Sequence, residues 1–307
     1  MRMPRMIALA LAAPLAVAVH LAASSPQVDA RVAEILAAAR QALGGEAALS
    51  KVQTLTVTGS TRRMMGDREI NGDVTLDFIL PDKMRRTDSF GIPGGPTMER
   101  VSVLNNGEVW DDSTNRGGGG FMMRMGPGGP GGQGGPGGPP REPTEEERQR
   151  MRQAQAQRMK NEMARHSLAF LLRTDASVTY AGEAEAEDGK ADVIEVKPLG
   201  GTAMKLFIDQ ATHLPLMVTY EGVLPRMIGM RPGGQRPTPE EIEKMRSEPP
   251  QTALFEVRYS EYKKVDGVLL PHLITTGANG NVTEEWTIDK FRVNPALKPE
   301  SFVKKGS

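Results

Sequence analysis

Residues 74–86, VTLDFILPDKMRR, carry the pattern that decides the fold. Val74, Leu76, Phe78 and Leu80 share one parity, while the polar residues Asp73, Thr75 and Asp77 hold the other. Successive side chains of a β-strand point to opposite faces, so this alternation indicates a strand with one buried face and one solvated face. Strands of this kind are typical of antiparallel sheets.

The same period of two recurs along most of the chain. It returns near residues 55–57, 101–110, 178–196, 204–220 and 255–291. Asn106-Gly107, Asp266-Gly267 and Asn279-Gly280 separate such segments, and these pairs supply the positive φ angles of tight hairpins. The pattern predicts a mainly antiparallel β fold with some helix (α+β), as a meander forming a curled sheet or barrel. An alternating βαβ order is missing, which excludes a Rossmann or TIM architecture.

Two segments have helical periodicity instead. Val32, Ile35, Leu36, Ala39 and Leu43 lie on one face of a helix that Gly44-Gly45 ends. We interpret it as a helix packed on the sheet.

A second helix is predicted from Thr144, where Glu147 follows three residues later as in a capping box. It runs to the apolar residues 168–172.

Two Gly/Pro/Met-rich insertions, 116–165 and 223–251, interrupt the strands. Gly126 to Pro140 reads GPGGPGGQGGPGGPP, which has glycine at every third position as collagen does, but we interpret it as a flexible spacer. Methionine suits variable apolar ligands, so the insertions are interpreted as lids, with low-complexity drift as the alternative. The lid candidates are Met122, Met123, Met151, Met159, Met163 and Met227.

Composition and the first residues bear on location and partners. The 307 residues include 38 basic and 38 acidic ones, and a formal net charge of zero argues against nucleic acid as a partner. Residues 1–30 have the basic start, apolar run and small residues of a signal peptide, with cleavage expected between 23 and 30. An uncleaved anchor is the alternative. We expect one domain, 31–307, in the periplasm or secreted, with no membrane span in the mature chain.

Motifs for catalysis and metal binding are missing. The chain has no cysteine, which excludes thiol catalysis, cysteine metal sites and a lipid anchor on cysteine. His166, His213 and His272 are scattered without ligand spacing. The doublets Asp111-Asp112 and Glu284-Glu285 point to opposite faces of a strand and are interpreted as solvated edges. We therefore expect no enzyme, no metal and no cofactor; Cu(I) at Met122-Met123-x-Met125 is a weak alternative.

Several motifs in order resemble the LolA-like periplasmic carriers, which include lipoprotein chaperones and related lipid-binding proteins. The similarity covers most of the chain after the signal peptide and departs from the family at the two insertions. It lies in VTLDFILPDKMRR (Pro81, Met84, Arg85), VLNNGEVWDDS (Gly107, Trp110), the helix ending at Leu171-Leu172, LFIDQATHLPLMVTY (Asp209, Pro215), YSEYKKVDGVLLPHLI and WTIDKFRVNPALKPESF (Asn294, Phe302).

This resemblance implies an incomplete barrel whose helices cover an apolar cavity, and binding rather than catalysis. The expected function is carriage of an apolar ligand, a lipid or an acylated lipoprotein, in the cell envelope. A ligandless module that docks on an envelope protein through the insertions, and an undetected hydrolase, are the alternatives. Inward parity predicts the cavity lining as Leu76, Phe78, Val103, Trp110, Leu206, Phe255, Val257, Tyr259, Trp286 and Ile288.

Overall fold

The structure of the protein is a computed structural model. It describes residues 30–65, 68–91, 97–116, 144–173, 177–186, 189–197, 201–224, 238 and 251–304. The signal peptide, the Gly126 to Pro140 stretch, most of the second insertion, and the lid candidates Met122, Met123 and Met227 lie outside these residues.

Within the described ranges, the chain forms three α-helices and twelve β-strands. The helices are α1 (Ala30–Leu43), α2 (Glu46–Leu49) and α3 (Glu145–Leu171), and a 3-10 helix spans Pro299–Phe302. The strands are β1 (Thr54–Met65), β2 (Arg68–Ile79), β3 (Lys83–Gly91), β4 (Thr97–Asn105), β5 (Glu108–Arg116), β6 (Ser177–Ala186), β7 (Gly189–Lys197), β8 (Met204–Asp209), β9 (Pro215–Val223), β10 (Thr252–Val265), β11 (Val268–Ala278) and β12 (Asn281–Val293).

All twelve strands form one antiparallel sheet in the order β5-β4-β3-β2-β1-β12-β11-β10-β9-β8-β7-β6. Consecutive strands pair with each other, except for β5 and β6, and β1 also pairs with β12, which joins the first strand to the last one. The strands β5 and β6 are the edges, and the sheet does not close. The predicted mainly antiparallel fold, an incomplete curled barrel with covering helices, is confirmed.

Hairpin turns lie where the sequence predicts them. Asn106 and Gly107, with φ of 50° and 85°, join β4 to β5. Asn279 and Gly280, with φ of 49° and 80°, join β11 to β12. Both residues of each turn take positive φ, which favours glycine and asparagine at these places.

The main core lies between the concave face of the sheet and the helices. Helix α1 buries Val32, Ile35, Ala39 and Leu43, so its predicted packing face is confirmed. The last turns of α3 add Leu168 to Leu172, all of which are buried. Within the described ranges, no helix combines the length and the apolarity that a membrane crossing requires.

Each insertion begins where a strand ends, the first at β5 and the second at β9. Arg116 at the end of β5 pairs with Thr97, and Val223 at the end of β9 pairs with Thr252. Helix α3 begins within the first insertion and ends near Leu49 and Val52, whose carbonyl oxygens accept hydrogen bonds from Arg173 just after the helix.

Candidate functional site

Most residues predicted to line a cavity lie on the concave face. Phe255 is partly exposed on that face, and its ring stacks on Tyr220 with 5.4 Å between the centroids. The others belong to the buried core: Leu76, Phe78, Leu206, Val257, Tyr259, Trp286 and Ile288. Whether any of them binds a ligand stays a prediction.

Val103 and Trp110 lie on the other face of the sheet. They pair with each other across β4 and β5. Their neighbours Leu104 and Val109 also pair, and these two pack in the concave core. Since adjacent residues of a strand point to opposite faces, Val103 and Trp110 face away from the concave side. The 3-10 helix that carries the buried Phe302 contacts β3 and β4, so the chain covers this region of the sheet on both sides.

Helix α3 fills the concave face with its second half. Met159 and Met163 are each 5% exposed, whereas Met151, in the first half, is 51% exposed. A void of about 10 Å³ beneath the helix is lined by residues including Phe78, His166 and Phe170. That volume holds one water molecule at most. In this part of the concave face, side chains of the chain itself fill the apolar region.

A cluster of charged side chains lies beneath the second half of α3. We call Arg63, Arg86, Asp88, Glu162, Arg165 and Glu284 the ionic cluster. Arg86 is its centre: it donates from Nε and Nη2 to the two oxygens of Asp88, both at 2.8 Å. It also donates from Nη1 to Glu162 Oε1 at 2.6 Å and from Nη2 to Glu284 Oε1 at 3.4 Å. Its guanidinium lies 4.8 Å from the centre of the Trp286 ring, in a cation–π contact.

Two further arginines extend the cluster. Arg63 bridges strands by donating to Asp88 Oδ1 at 2.7 Å and to Glu284 Oε1 at 2.6 Å. Arg165 on α3 donates from Nη1 to the hydroxyl of Tyr220 at 3.0 Å, and its Nη2 lies 3.8 Å from Glu162 Oε1. The strands and the helix are thus joined by ionic contacts as well as by apolar packing.

The acidic members of the cluster are held ionised. Burial alone would raise the pKa of Glu162, but the attraction of Arg86 outweighs it and holds that pKa well below its usual range. Burial likewise opposes ionisation of Asp88 and Glu284, and Arg86 again holds each pKa below its ordinary value. A general acid near neutral pH needs a raised pKa. The cluster therefore suits recognition of charge better than proton transfer.

His166 lies at the junction of the ionic and apolar regions. It is fully buried, with ring contacts to Phe170 at 5.1 Å, Trp286 at 5.5 Å and Phe78 at 6.1 Å between centroids. Its Nε2 is 3.9 Å from Glu162 Oε1, and neither ring nitrogen has a hydrogen-bond partner among the described residues. Burial is the main cause that lowers the pKa of His166 to about 4, so the ring is neutral near pH 7.

The interpretation of Glu284-Glu285 as a solvated edge is wrong for Glu284. Glu284 shares the parity of Trp286 and Ile288 on β12 and points into the concave face, where 16% of its side chain is exposed. Glu285 points away and pairs with Arg62 at 3.1 Å. Extending the inward parity of Trp286 back by two residues would have identified Glu284.

A second depression lies outside the concave core. It has a volume of about 350 Å³ and is formed by β1, β2 and β12. Its lining includes Arg62, Asn71 and Glu285, so it offers polar contacts rather than a surface for an apolar ligand. Among the described side chains, no three of His, Asp or Glu are grouped as a metal ion would require.

Comparisons with known proteins find similarity in structure. The chain is similar to a LolA superfamily protein from Nitrosomonas europaea, with a TM-score of 0.46 and 12% identity over 87% of this chain and 97% of that one. An outer membrane lipoprotein-sorting protein domain from Vibrio parahaemolyticus gives 0.43 and 10% over 87% and 95%. A DUF1329 family protein from Desulfovibrio piger gives 0.43 and 10% over 89% and 97%.

All three TM-scores are below 0.5. No protein-family model matches the sequence, and no curated protein matches it. At identities of 10% to 12% the likeness concerns the fold alone. The ligand of this chain has to be argued from its own residues.

Proposed function

We propose that this chain is an exported binding protein that takes an apolar ligand, a lipid or an acylated lipoprotein, on the concave face where α3 now lies. One observation carries the proposal: the second half of α3 covers a part of the concave face where an apolar region adjoins the ionic cluster, and several buried polar atoms under the helix have no hydrogen-bond partner among the described residues. The sequence resemblance to LolA-like carriers and the predicted signal peptide support it.

The incomplete contact makes α3 suitable as a displaceable cover. Both ring nitrogens of His166 and Nε of Arg165 are buried without a hydrogen-bond partner among the described residues. Each unsatisfied buried group costs about 1–3 kcal/mol. A helix that closed the core permanently would be expected to satisfy these groups. If a ligand displaced the helix, these polar groups could reach other partners. Burial of each methylene group of the ligand would contribute about 0.8 kcal/mol of favourable free energy.

A cross-link between α3 and the sheet tests the proposal. The chain has no cysteine, so two introduced cysteines form a unique pair. Asn161 on α3 donates to Thr202 Oγ1 at 3.1 Å, which makes N161C/T202C the locking pair for a short bis-maleimide. Thr179 and Glu195 are partners on β6 and β7. The pair T179C/E195C is thus the control that leaves α3 free.

We expect the locked protein to lose uptake of a pyrene-labelled fatty acid, while the same variant without cross-linker and the cross-linked control retain it. Uptake by the locked protein would show that α3 is not the cover. Absence of uptake by every form, together with no lipid extracted from the purified chain, would refute the carrier.

The second candidate is a ligandless module that docks on an envelope protein. The packed concave face, with its void of only about 10 Å³, favours this alternative. It predicts that the pyrene-labelled fatty acid does not bind to any form of the protein, with or without either cross-link.

A further inference from the structure

In the buried half of α3 the charged and titratable residues precede the apolar end. Glu162, Arg165 and His166 come first, and the apolar residues 168–172 follow. At a rise of 1.5 Å per residue, the distance from Glu162 to Leu172 is about 15 Å. A ligand that replaces this half of the helix meets charged partners first and apolar partners beyond them.

The first charged partner is a single donor on Arg86. Its Nη1 donates only to Glu162 among the hydrogen bonds described above, whereas its Nε and Nη2 bond to Asp88 and Glu284 on the sheet. When α3 leaves, Nη1 loses its carboxylate and the other two contacts stay. An anionic oxygen of the ligand fits the vacated position.

The second partner is the hydroxyl of Tyr220, which now accepts a hydrogen bond from a cation. Arg165 Nη1 donates to this hydroxyl at 3.0 Å, and the Tyr220 ring stacks on Phe255 at an interplanar angle of 11°. A phenol oxygen can accept the same bond from an ammonium group. Tyr259 donates to the backbone oxygen of Arg165 at 3.3 Å and fixes this part of the helix.

The charges on the sheet cancel without the helix. Arg63 and Arg86 contribute two positive charges, and Asp88 and Glu284, held ionised, contribute two negative ones. The helix also contributes one charge of each sign, Glu162 and Arg165, with 3.8 Å between their nearest charged atoms. The matching replacement is therefore neutral overall and carries both signs close together.

We infer that the ligand is a lipid with a zwitterionic head group, whose anionic part takes the place of Glu162 against Arg86 and whose cationic part takes the place of Arg165 against Tyr220. The acyl chains then lie where residues 168–172 of α3 lie. This inference rests on the proposed function, because it requires that the helix be displaced by the ligand.

The test is competition between two lipids with the same acyl chains. The full chain is incubated with vesicles of equimolar phosphatidylethanolamine and phosphatidylglycerol, and the bound lipids are measured by native mass spectrometry. We expect phosphatidylethanolamine to be preferred by at least about tenfold, since the anionic lipid cannot occupy the Tyr220 position with a cation. Soluble glycerophosphoethanolamine, which has the same head group but no acyl chains, is added in a third arm as a competitor.

Two variants change the preference in a way that a structural role would not. Tyr220→Phe removes the hydroxyl and should lower the preference by about five- to tenfold, while Tyr180→Phe on β6 leaves it unchanged. Glu284→Gln leaves the sheet one positive charge in excess and should shift binding toward phosphatidylglycerol. Glu285→Gln, on the opposite face of the same strand, is its control. If Glu284→Gln fails to fold, the lipid preference of Tyr220→Phe still tests the proposed head group.

The outcomes separate the two proposals. Equal loading of the two lipids, unchanged in Tyr220→Phe, would overturn the zwitterionic head group and leave the carrier in place. No loading of either lipid would overturn the carrier itself. If glycerophosphoethanolamine competed as strongly as the lipid, the acyl chains would not contribute to binding, which would overturn their proposed place at residues 168–172.

Discussion

The two halves of α3 are made of similar residues in opposite surroundings. In the first half, Glu146 and Arg150 form an ion pair at 2.6 Å while about three quarters of each side chain is exposed (73% and 75%). In the second half, Glu162 and Arg86 form an ion pair at the same distance with 11% and 13% exposed. Equal geometry here does not mean equal contribution, because water screens the first pair and is excluded from the second.

This contrast shows which part of the helix is bound to the fold. The first half projects with charged side chains and the exposed Met151, whereas the second half inserts a neutral histidine and an apolar end into the core. A helix divided in this way can have its stability changed in one half without effect on the other. The ranking of the following effects tests that division.

The largest effect on stability is expected from removing one charge in the buried half, and the same change in the exposed half is its control. Glu162→Gln leaves Arg86 with less compensation in a buried site and should lower the free energy of unfolding by about 3–5 kcal/mol. Glu146→Gln, the same change in the exposed half, should cost no more than about 0.5 kcal/mol. Urea unfolding of both variants measures the difference. Similar small losses in both would mean that the second half is not held by the ionic cluster.

The next effect is a loss of stability in mild acid. Because the pKa of His166 is about 4 in the fold against 6.5 in the unfolded chain, the unfolded chain takes up this proton first as pH falls. The stability is complete above pH 6.5 and is lost progressively toward pH 4. Between pH 7 and pH 5 the free energy of unfolding should fall by about 2 kcal/mol.

His166→Gln tests the origin of that pH dependence. The variant has no titrating ring, so its stability should be nearly constant between pH 7 and pH 5, measured as the urea midpoint. His213→Asn is the matched control: His213 is exposed, and its φ of 59° suits asparagine. If the dependence persists in His166→Gln, another group causes it. The pKa values of Glu162, Asp88 and Glu284 are lowered in the fold. The stability that these carboxylates contribute is therefore lost at still lower pH, as the pH falls below the ordinary pKa of a carboxyl group.

The smallest effect concerns the contact of α3 with the loop before β8. Asn161 donates to Thr202 Oγ1 at 3.1 Å and accepts from the backbone N–H of Thr202 at 3.0 Å. Asn161→Ala should cost about 1 kcal/mol. Asn71→Ala removes an exposed contact with Glu69 and should be close to neutral. Thermal unfolding compares them, and equal shifts would contradict a specific anchor at Thr202.

The sheet could be predicted because strand periodicity is local. Leu76 and Phe78 alternate with polar residues, and Asn-Gly pairs mark the turns, so neighbouring strands pair in chain order. Val103 and Trp110 were assigned to the wrong face because β4 is apolar on both faces there: Leu104 points to the concave core, and Val103 is buried on the other side. Where both faces of the sheet are covered, alternation alone cannot show which side chains point to the concave face.

The ionic cluster could not be predicted in the same way. Its members come from β1, β3, α3 and β12, and Arg63 lies 221 residues from Glu284. Their meeting depends on the pairing of the first strand with the last one, which no local pattern encodes. Parity alone could have placed Arg86 with Met84, and Glu284 with Trp286, on the inner face. The filling of that face by α3 follows from tertiary packing.

The open sheet also bears on how copies of the chain meet one another. Among the described residues, no further strand pairs with the outer side of the edge strand β6, and such a row of backbone donors and acceptors is a template for aggregation. Glu183 and Glu185 are exposed along this strand. A second chain adding its own β6 here would bring carboxylates beside carboxylates. Like charges across a ladder oppose pairing, so this edge can remain open without polymerising the protein.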